Sequence, residues 1–203
     1  MLRSKTLLMF LLKALVFYTL LSLPISAYDE AYGNFYRKLS DQCFGHFRGS
    51  GFAKFNSMKD PAMTHVNVGN YALKLPDGSF DTAAIDINTR ILGYIPTILF
   101  ISLVLASPVP WKRRLVALGT GMILVMLLVI FKHWISLLWL CEENAWLKLT
   151  NFTGFSKTVL TFTNTFISSS SFTVPYFVVG IWLLVTFRLD DLKEKPQAPA
   201  KNK

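Results

Sequence analysis

The sequence predicts an all-α membrane protein: four transmembrane helices, with a small extracytoplasmic α/β insertion between the first and the second. Three observations predict it. The chain of 203 residues is 52% hydrophobic and only 16% charged, where soluble domains carry about 25% charged residues, and the deficit falls in four long apolar blocks. Two of these blocks, within residues 91–140, are joined by the short turn Ser107-Pro-Val-Pro-Trp-Lys-Arg-Arg114; two blocks of that length do not both fit the core of one small soluble domain. Finally, Lys and Arg cluster at alternate block ends, the pattern of loops retained on the cytoplasmic face.

The first block, Leu7 to Ile25, is interrupted by Lys13. Read as an uncleaved anchor it occupies residues 1–27. A second reading makes Arg3, Lys5 and Lys13 the basic region of a signal peptide, Ala14 to Leu23 its apolar region and Ile25-Ser26-Ala27 its cleavage site. The additional apolar run Leu7 to Leu12 favours the anchor.

Residues 28–90 form the extracytoplasmic domain. Seven Lys or Arg stand against seven Asp or Glu there, a neutral composition suited to a folded unit. Residues 28–47 are compatible with a helix that extends the first span outward. His65 to Leu75 partly alternates apolar and polar residues, Pro76-Asp77-Gly78 supplies a turn, and Ser79 to Ile87 returns, which predicts a β-hairpin. A lone hairpin is marginal in water, so it must pack on the span ends, on the preceding helix or on a partner.

Residues 91–140 read as a transmembrane helical hairpin, with Gly119 and Gly121 placed for close helix approach. Residues 141–171 read as an extracytoplasmic interfacial segment, because Trp146, Leu149, Phe152, Phe155, Val159, Phe162 and Phe166 recur at spacings of three and four. Residues 172–187 are the fourth span, and the polar, Pro-containing residues 188–203 read as a disordered cytoplasmic tail. Lys112, Arg113 and Arg114 determine the topology. With the basic residues at the two chain ends they place both termini in the cytoplasm of a multi-pass bacterial inner-membrane protein. The net charge of +9 is explained by these flanks and by anionic lipid headgroups. No base-stacking motif accompanies it, so nucleic acid is not a predicted partner; the lipid bilayer and another membrane protein are.

Cys43 and Cys141 are the only cysteines. Both fall outside the cytoplasm in this topology, where a disulfide between them is permitted; two unrelated thiols are the alternative. No zinc-ligand spacing exists, and neither a metal nor a cofactor is predicted. Lys132 and His133 interrupt an apolar run. Ionisable residues in a span are functional candidates, although a Lys near a span end also snorkels to the headgroups. Asp86 and Arg90 read as a pair that anchors the start of the second block. A catalytic alternative takes Cys141 as nucleophile, His133 as base and Arg90 as oxyanion stabiliser. On one straight helix His133 and Cys141 are about 80° and roughly 12 Å apart, which rules out a direct hydrogen bond between them.

The segment Ile85-Asp-Ile-Asn-Thr-Arg-Ile91, followed by Leu105-Ala-Ser-Pro-Val-Pro-Trp-Lys-Arg-Arg-Leu-Val-Ala-Leu-Gly-Thr-Gly121, resembles part of the exosortase/archaeosortase family. These are polytopic membrane transpeptidases that process C-terminal sorting signals outside the cytoplasm. The resemblance covers about 50 residues, and its clearest part, the basic turn, is not catalytic. Where the family's nucleophilic Cys belongs, around Asn88 to Arg90, this chain has none. Lys132-His133 replaces the family's Asn-and-Arg pattern, and the family has more spans. No catalytic residue carries over. The resemblance therefore implies a non-enzymatic accessory or scaffold protein associated with an exosortase-type sorting system. The alternatives are a degenerate thiol transpeptidase built on Cys141, His133 and Arg90, and a small transporter or channel subunit with Lys132 or His133 lining a path.

Overall fold

A computed structural model describes residues 4–168 and 173–186. It overturns the all-α, four-span prediction. Among the described residues, six α-helices and a three-stranded antiparallel sheet make a mixed α/β architecture, and one helix, α4 (Trp111–Glu143), is long and apolar enough to cross a membrane by itself. The second apolar block becomes a π-helical turn, Arg90–Tyr94, followed by the 12-residue helix α3 (Ile95–Ala106). The fourth becomes the 14-residue helix α6 (Thr173–Thr186). The apolar helical stretch Arg90–Ala106 rises about 25 Å at 1.5 Å per residue, short of a hydrocarbon core of about 30 Å, while α6 is bounded on both sides by residues outside the described ones. The predicted disordered tail lies outside the described residues.

The first block forms α1 (Ser4–Leu21), but the chain does not continue straight into the next helix. α2 (Ser26–Phe44) leaves at 86° to α1. Pro24 causes the corner: it lacks a backbone N–H and disfavours a helical Leu23 before it. The predicted outward extension of the first span is thus a right-angle turn instead.

The predicted hairpin is present as β2 (Met63–Lys74) and β3 (Phe80–Asn88), antiparallel, with a register shift between Gly69 and Lys74. Asp77 accepts hydrogen bonds from the Ser79 N–H (2.9 Å) and hydroxyl (2.7 Å), and Gly78 takes the left-handed φ of 86° that the turn requires. A strand not read from the sequence, β1 (Gly51–Ser57), pairs with β2 on its other side, giving the order β1-β2-β3. α2 packs against β1 and β2. After α4, a short 3₁₀ turn, Ala145–Leu147, leads to α5 (Phe155–Ser168), the amphipathic helix expected in residues 141–171. Buried Asn70 of β2 donates to the Leu147 carbonyl at 2.8 Å, fastening the sheet to the chain just beyond α4.

Two cores share α4. Ala117 and Val125, in its first half, pack with Phe100 and Val104 of α3 and with Val174, Val178 and Trp182 of α6. Val129 and the stretch Ile135, Leu137, Leu138, Leu140 and Cys141 pack instead with Tyr36 and Phe44 of α2 and with Phe55, Val66, Val68 and Ala83 of the sheet. α3 and α4 form the expected hairpin. A Cβ at Gly121 would overlap the Phe100 ring, so this glycine sets their approach, whereas Gly119 faces open space.

Candidate functional site

His133 lies within the core that α4 shares with α2 and the sheet. It is 1% exposed, and its ring is walled by Tyr36 at 5.8 Å, Phe44 at 5.2 Å and Phe55 at 5.2 Å between centroids. Helical periodicity places it there: on α4 it follows Val125 and Val129 at intervals of four and precedes Leu137 and Cys141 at the same interval. Its Nδ1 lies 2.9 Å from the Tyr36 hydroxyl, while its Nε2 has no hydrogen-bond partner among the described residues. Burial keeps the Tyr36 phenol protonated, raising its pKa well above the ordinary value against a lowering hydrogen bond from Ser40. Tyr32, one turn earlier on α2, is pushed up to about 12 by burial, opposed by a hydrogen bond to Thr97.

Beside His133 a cleft of about 220 Å³ opens between β3 and α4, lined by residues 85–88, by Ile91 and Leu92, and by Lys132, His133 and Ser136. Its polar groups are of both signs. Asp86 does not pair with Arg90 as the sequence suggested. It sits on β3 opposite His65 of β2, whose Nδ1 is 2.6 Å from its Oδ1. Lys132 forms no ion pair among the described residues, even with Asp86 on the same cleft. The Ser136 hydroxyl donates to the Lys132 carbonyl at 3.2 Å, which leaves its oxygen free to accept.

Arg90 is committed elsewhere. Its Nη1 donates to Asp29 Oδ2 and its Nη2 to the Ser22 carbonyl, both at 2.6 Å. The Tyr94 hydroxyl donates to the Leu21 carbonyl at 2.8 Å. The carbonyls freed by the α1–α2 corner are therefore met by two side chains of the π-helical turn, which makes Arg90 and Tyr94 a clamp on that corner. Asp29 Oδ1 stays buried without a partner among the described residues.

The structure does not bring the three candidate catalytic residues together. Arg90 clamps the corner, His133 is held by Tyr36, and Cys141 is buried at 1% exposure in the core that α4 shares with α2 and the sheet. Both cysteines are free thiols, Cys43 exposed and Cys141 buried, so the candidate disulfide is not formed. No group of three or more His, Cys, Asp or Glu side chains suited to a metal ion occurs among the described residues. Lys112, Arg113 and Arg114, read from the sequence as part of the turn between two blocks, lie instead in the first turn of α4, with Arg114 Nη2 donating to the Ser107 carbonyl at 2.8 Å. Sequence reasoning missed Tyr36 and Asp29, which lie 97 and 61 residues from their partners; no local spacing signals contacts that distant. Comparison with known protein families, with characterised proteins and with solved structures finds no match of any kind.

Proposed function

We propose that this chain is a non-enzymatic accessory or scaffold protein embedded in a bacterial inner membrane. Its sheet domain lies outside the cytoplasm, and an exosortase-type surface-protein sorting system is the partner. The observation that carries the membrane reading is the division of α4. Only 22% of its most apolar 18-residue stretch is buried within the protein, which favours a membrane setting over the core of a soluble domain. Leu115, Val116, Ile123, Leu127 and Phe131 of α4 are exposed, as are Leu8, Leu12 and Leu15 of α1 and Phe177, Leu183 and Leu184 of α6. Soluble monomers rarely expose contiguous apolar patches beyond a few hundred Å²; lipid is the environment that suits this belt. From Trp111 to Lys132 the helix rises about 32 Å, close to one hydrocarbon thickness. Lys132 then stands at the outer headgroup level, and the remaining turns of α4 project into the core shared with α2 and the sheet.

The accessory reading is supported by what the polar side chains do. Arg90, Tyr94, Asn70 and Tyr36 hold elements to one another, as befits a rigid platform. The exosortase association rests on the basic turn at residues 107–114. Carbonate extraction of membranes followed by crosslinked co-purification tests the proposal. It predicts retention in the extracted membrane and recovery with another membrane protein of the sorting type, together with defective surface-protein processing on deletion. A chain that co-purifies with no membrane protein, and whose deletion leaves surface-protein processing unchanged, refutes the accessory role.

A further inference from the structure

We propose that the free edge of β3 accepts an extended segment of a partner protein as a fourth strand. The residues of that segment alternate apolar and polar, and the apolar ones seat in the cleft against α4. The inference rests on the accessory reading above and deepens it by assigning the surface on which the partner docks.

The ladder fixes which backbone groups are free. The Tyr71 N–H donates to the Ser50 carbonyl at 2.8 Å, so Gly51 and Asn70, which stand opposite each other, do not bond directly. Bonded and unbonded positions alternate along an antiparallel pair. Phe52, Lys54 and Asn56 therefore bond to β2, while Val68, Val66 and Thr64 of β2 turn the other way and bond Ala83, Ile85 and Ile87. The Thr89 N–H, donating to the Ala62 carbonyl at 2.8 Å, continues the same alternation. On β3 this leaves Thr82, Ala84 and Asp86 with N–H and C=O groups pointing outward, and these meet no partner among the described residues. Ala84 and Asp86 are exposed.

The two edges of the sheet are treated differently. β1 is closed. Asp41 of α2 accepts its outward Phe55 N–H at 3.3 Å, the Phe47 N–H donates to the Gly51 carbonyl at 2.9 Å, and α2 packs alongside. β3 runs for nine residues without a Lys, an Arg or a Pro, the residues that blunt natural edges. Its Asp86 carboxylate is drawn back over the sheet by His65 of β2. An open edge of this kind is a template for another strand, and backbone hydrogen bonds supply the affinity.

The cleft sets the side-chain pattern. Ile85 and Ile87 project to the core side of β3 and, with Ile91 and Leu92, line the cleft of about 220 Å³ between β3 and α4. A strand laid along the edge places every second side chain beside Ile85 and Ile87, in this cleft, and the intervening ones beside Ala84 and Asp86, in the open. Pockets for whole drug-sized ligands run to about 300–1,000 Å³; the smaller cleft suits single side chains of a segment held through its backbone. With α4 walling its far side, the cleft favours one strand over the edge of a second folded copy.

Fluorescence anisotropy of the full chain in detergent, with labelled peptides of about eight residues, tests this. Peptides that alternate Val or Ile with Lys or Thr are expected to bind. Peptides of the same composition with the apolar residues consecutive should bind more weakly by about tenfold or more. N-methylation of every second residue of an alternating peptide should abolish binding in one phase and spare it in the other, because only alternate N–H groups of an added strand face β3. Ala84→Pro removes an outward N–H and none from the β2 ladder, so it should weaken binding by about tenfold with thermal unfolding unchanged. Where Ala84→Pro lowers Tm, the N-methylated peptides carry the test on the parent chain. Bound peptide should also slow hydrogen exchange at the Ala84 and Asp86 amides and not at Ala53 of β1. Equal binding of alternating and consecutive peptides, equal effects of the two N-methylation phases, or unchanged exchange at Ala84 and Asp86 overturns the proposal. A dimer of the chain that Ala84→Pro dissociates also overturns it, in favour of edge-to-edge self-pairing. Failure to co-purify any membrane protein refutes the accessory reading instead, which the peptide measurements do not touch.

Discussion

Replacing Tyr36 by Phe removes one oxygen and nothing else. That oxygen is the partner of His133 Nδ1 in a site where Tyr36 is 3% and His133 1% exposed. Because Nε2 already lacks a partner among the described residues, the variant leaves both ring nitrogens unsatisfied within the protein. An orphaned buried polar group costs about 1–3 kcal/mol. For a chain of this size each kcal/mol lowers Tm by about 2–4 °C, so Tyr36→Phe should lower it by about 4–8 °C for a mid-range cost of about 2 kcal/mol. The measurement is thermal unfolding in detergent, followed by tryptophan fluorescence. A double-mutant cycle with His133→Leu gives the decisive comparison. Removing both partners leaves no orphan, so the double variant should be markedly more stable than the sum of the single losses requires. Additive losses, or a Tyr36→Phe variant with the parent Tm, would refute the reasoning that this hydrogen bond joins α2 to α4.

The other predictions concern the corner, the helix hairpin, the thiols and alkaline stability. Arg90→Met strands the Asp29 carboxylate and frees the Ser22 carbonyl, so it should cost about 3–5 kcal/mol and open backbone amides near the α1–α2 corner to hydrogen exchange; unchanged exchange there would show that Arg90 is not a clamp. Gly121→Val forces a side chain into the Phe100 ring and should destabilise by about 1–3 kcal/mol, while Gly119→Val, facing open space, should stay within about 0.5 kcal/mol in the same denaturation assay. A maleimide should modify Cys43 in the folded protein and Cys141 only after denaturation; equal labelling of both would contradict the burial of Cys141. Tyr32 and Tyr36 have folded pKa values above the unfolded value near 10, so the unfolded chain loses these protons first. The stability held by keeping them neutral is complete below pH 10 and declines as pH rises above it. Tyr36→Phe should flatten that alkaline decline, and an identical slope in parent and variant would exclude it.

Local chemistry made parts of this fold legible. Pro76-Asp77-Gly78 announced the hairpin because each residue has a mechanical role in the turn, and the three-and-four spacing of aromatic residues announced α5. β1 escaped because Phe52 and Ala53 are consecutive buried residues, which breaks the alternation that marks a half-buried strand. Apolar composition overstated the number of spans. Hydropathy counts each block at full length, but Pro96 begins α3 at its first turn and the chain ahead of it is spent on the π-helical turn. Pro24 was equally visible, yet nothing near it says how far the chain swings. The site was half legible. Lys132 and His133 stand out as ionisable residues in an apolar run, whereas their surroundings come from α2 and the sheet, folded back across distances that no local pattern records.

The 86° corner makes α1 and α2 the arms of a carpenter's square, with Arg90 and Tyr94 as its brace. In the proposed membrane placement, with α1 upright in the bilayer, α2 would run flat along the surface and carry the sheet at one height above the lipid. A hinged stalk would let a domain tilt and sweep; a braced square denies it that freedom. Under that proposal, a protein docking on the sheet would meet it at a set distance and a set bearing from the membrane.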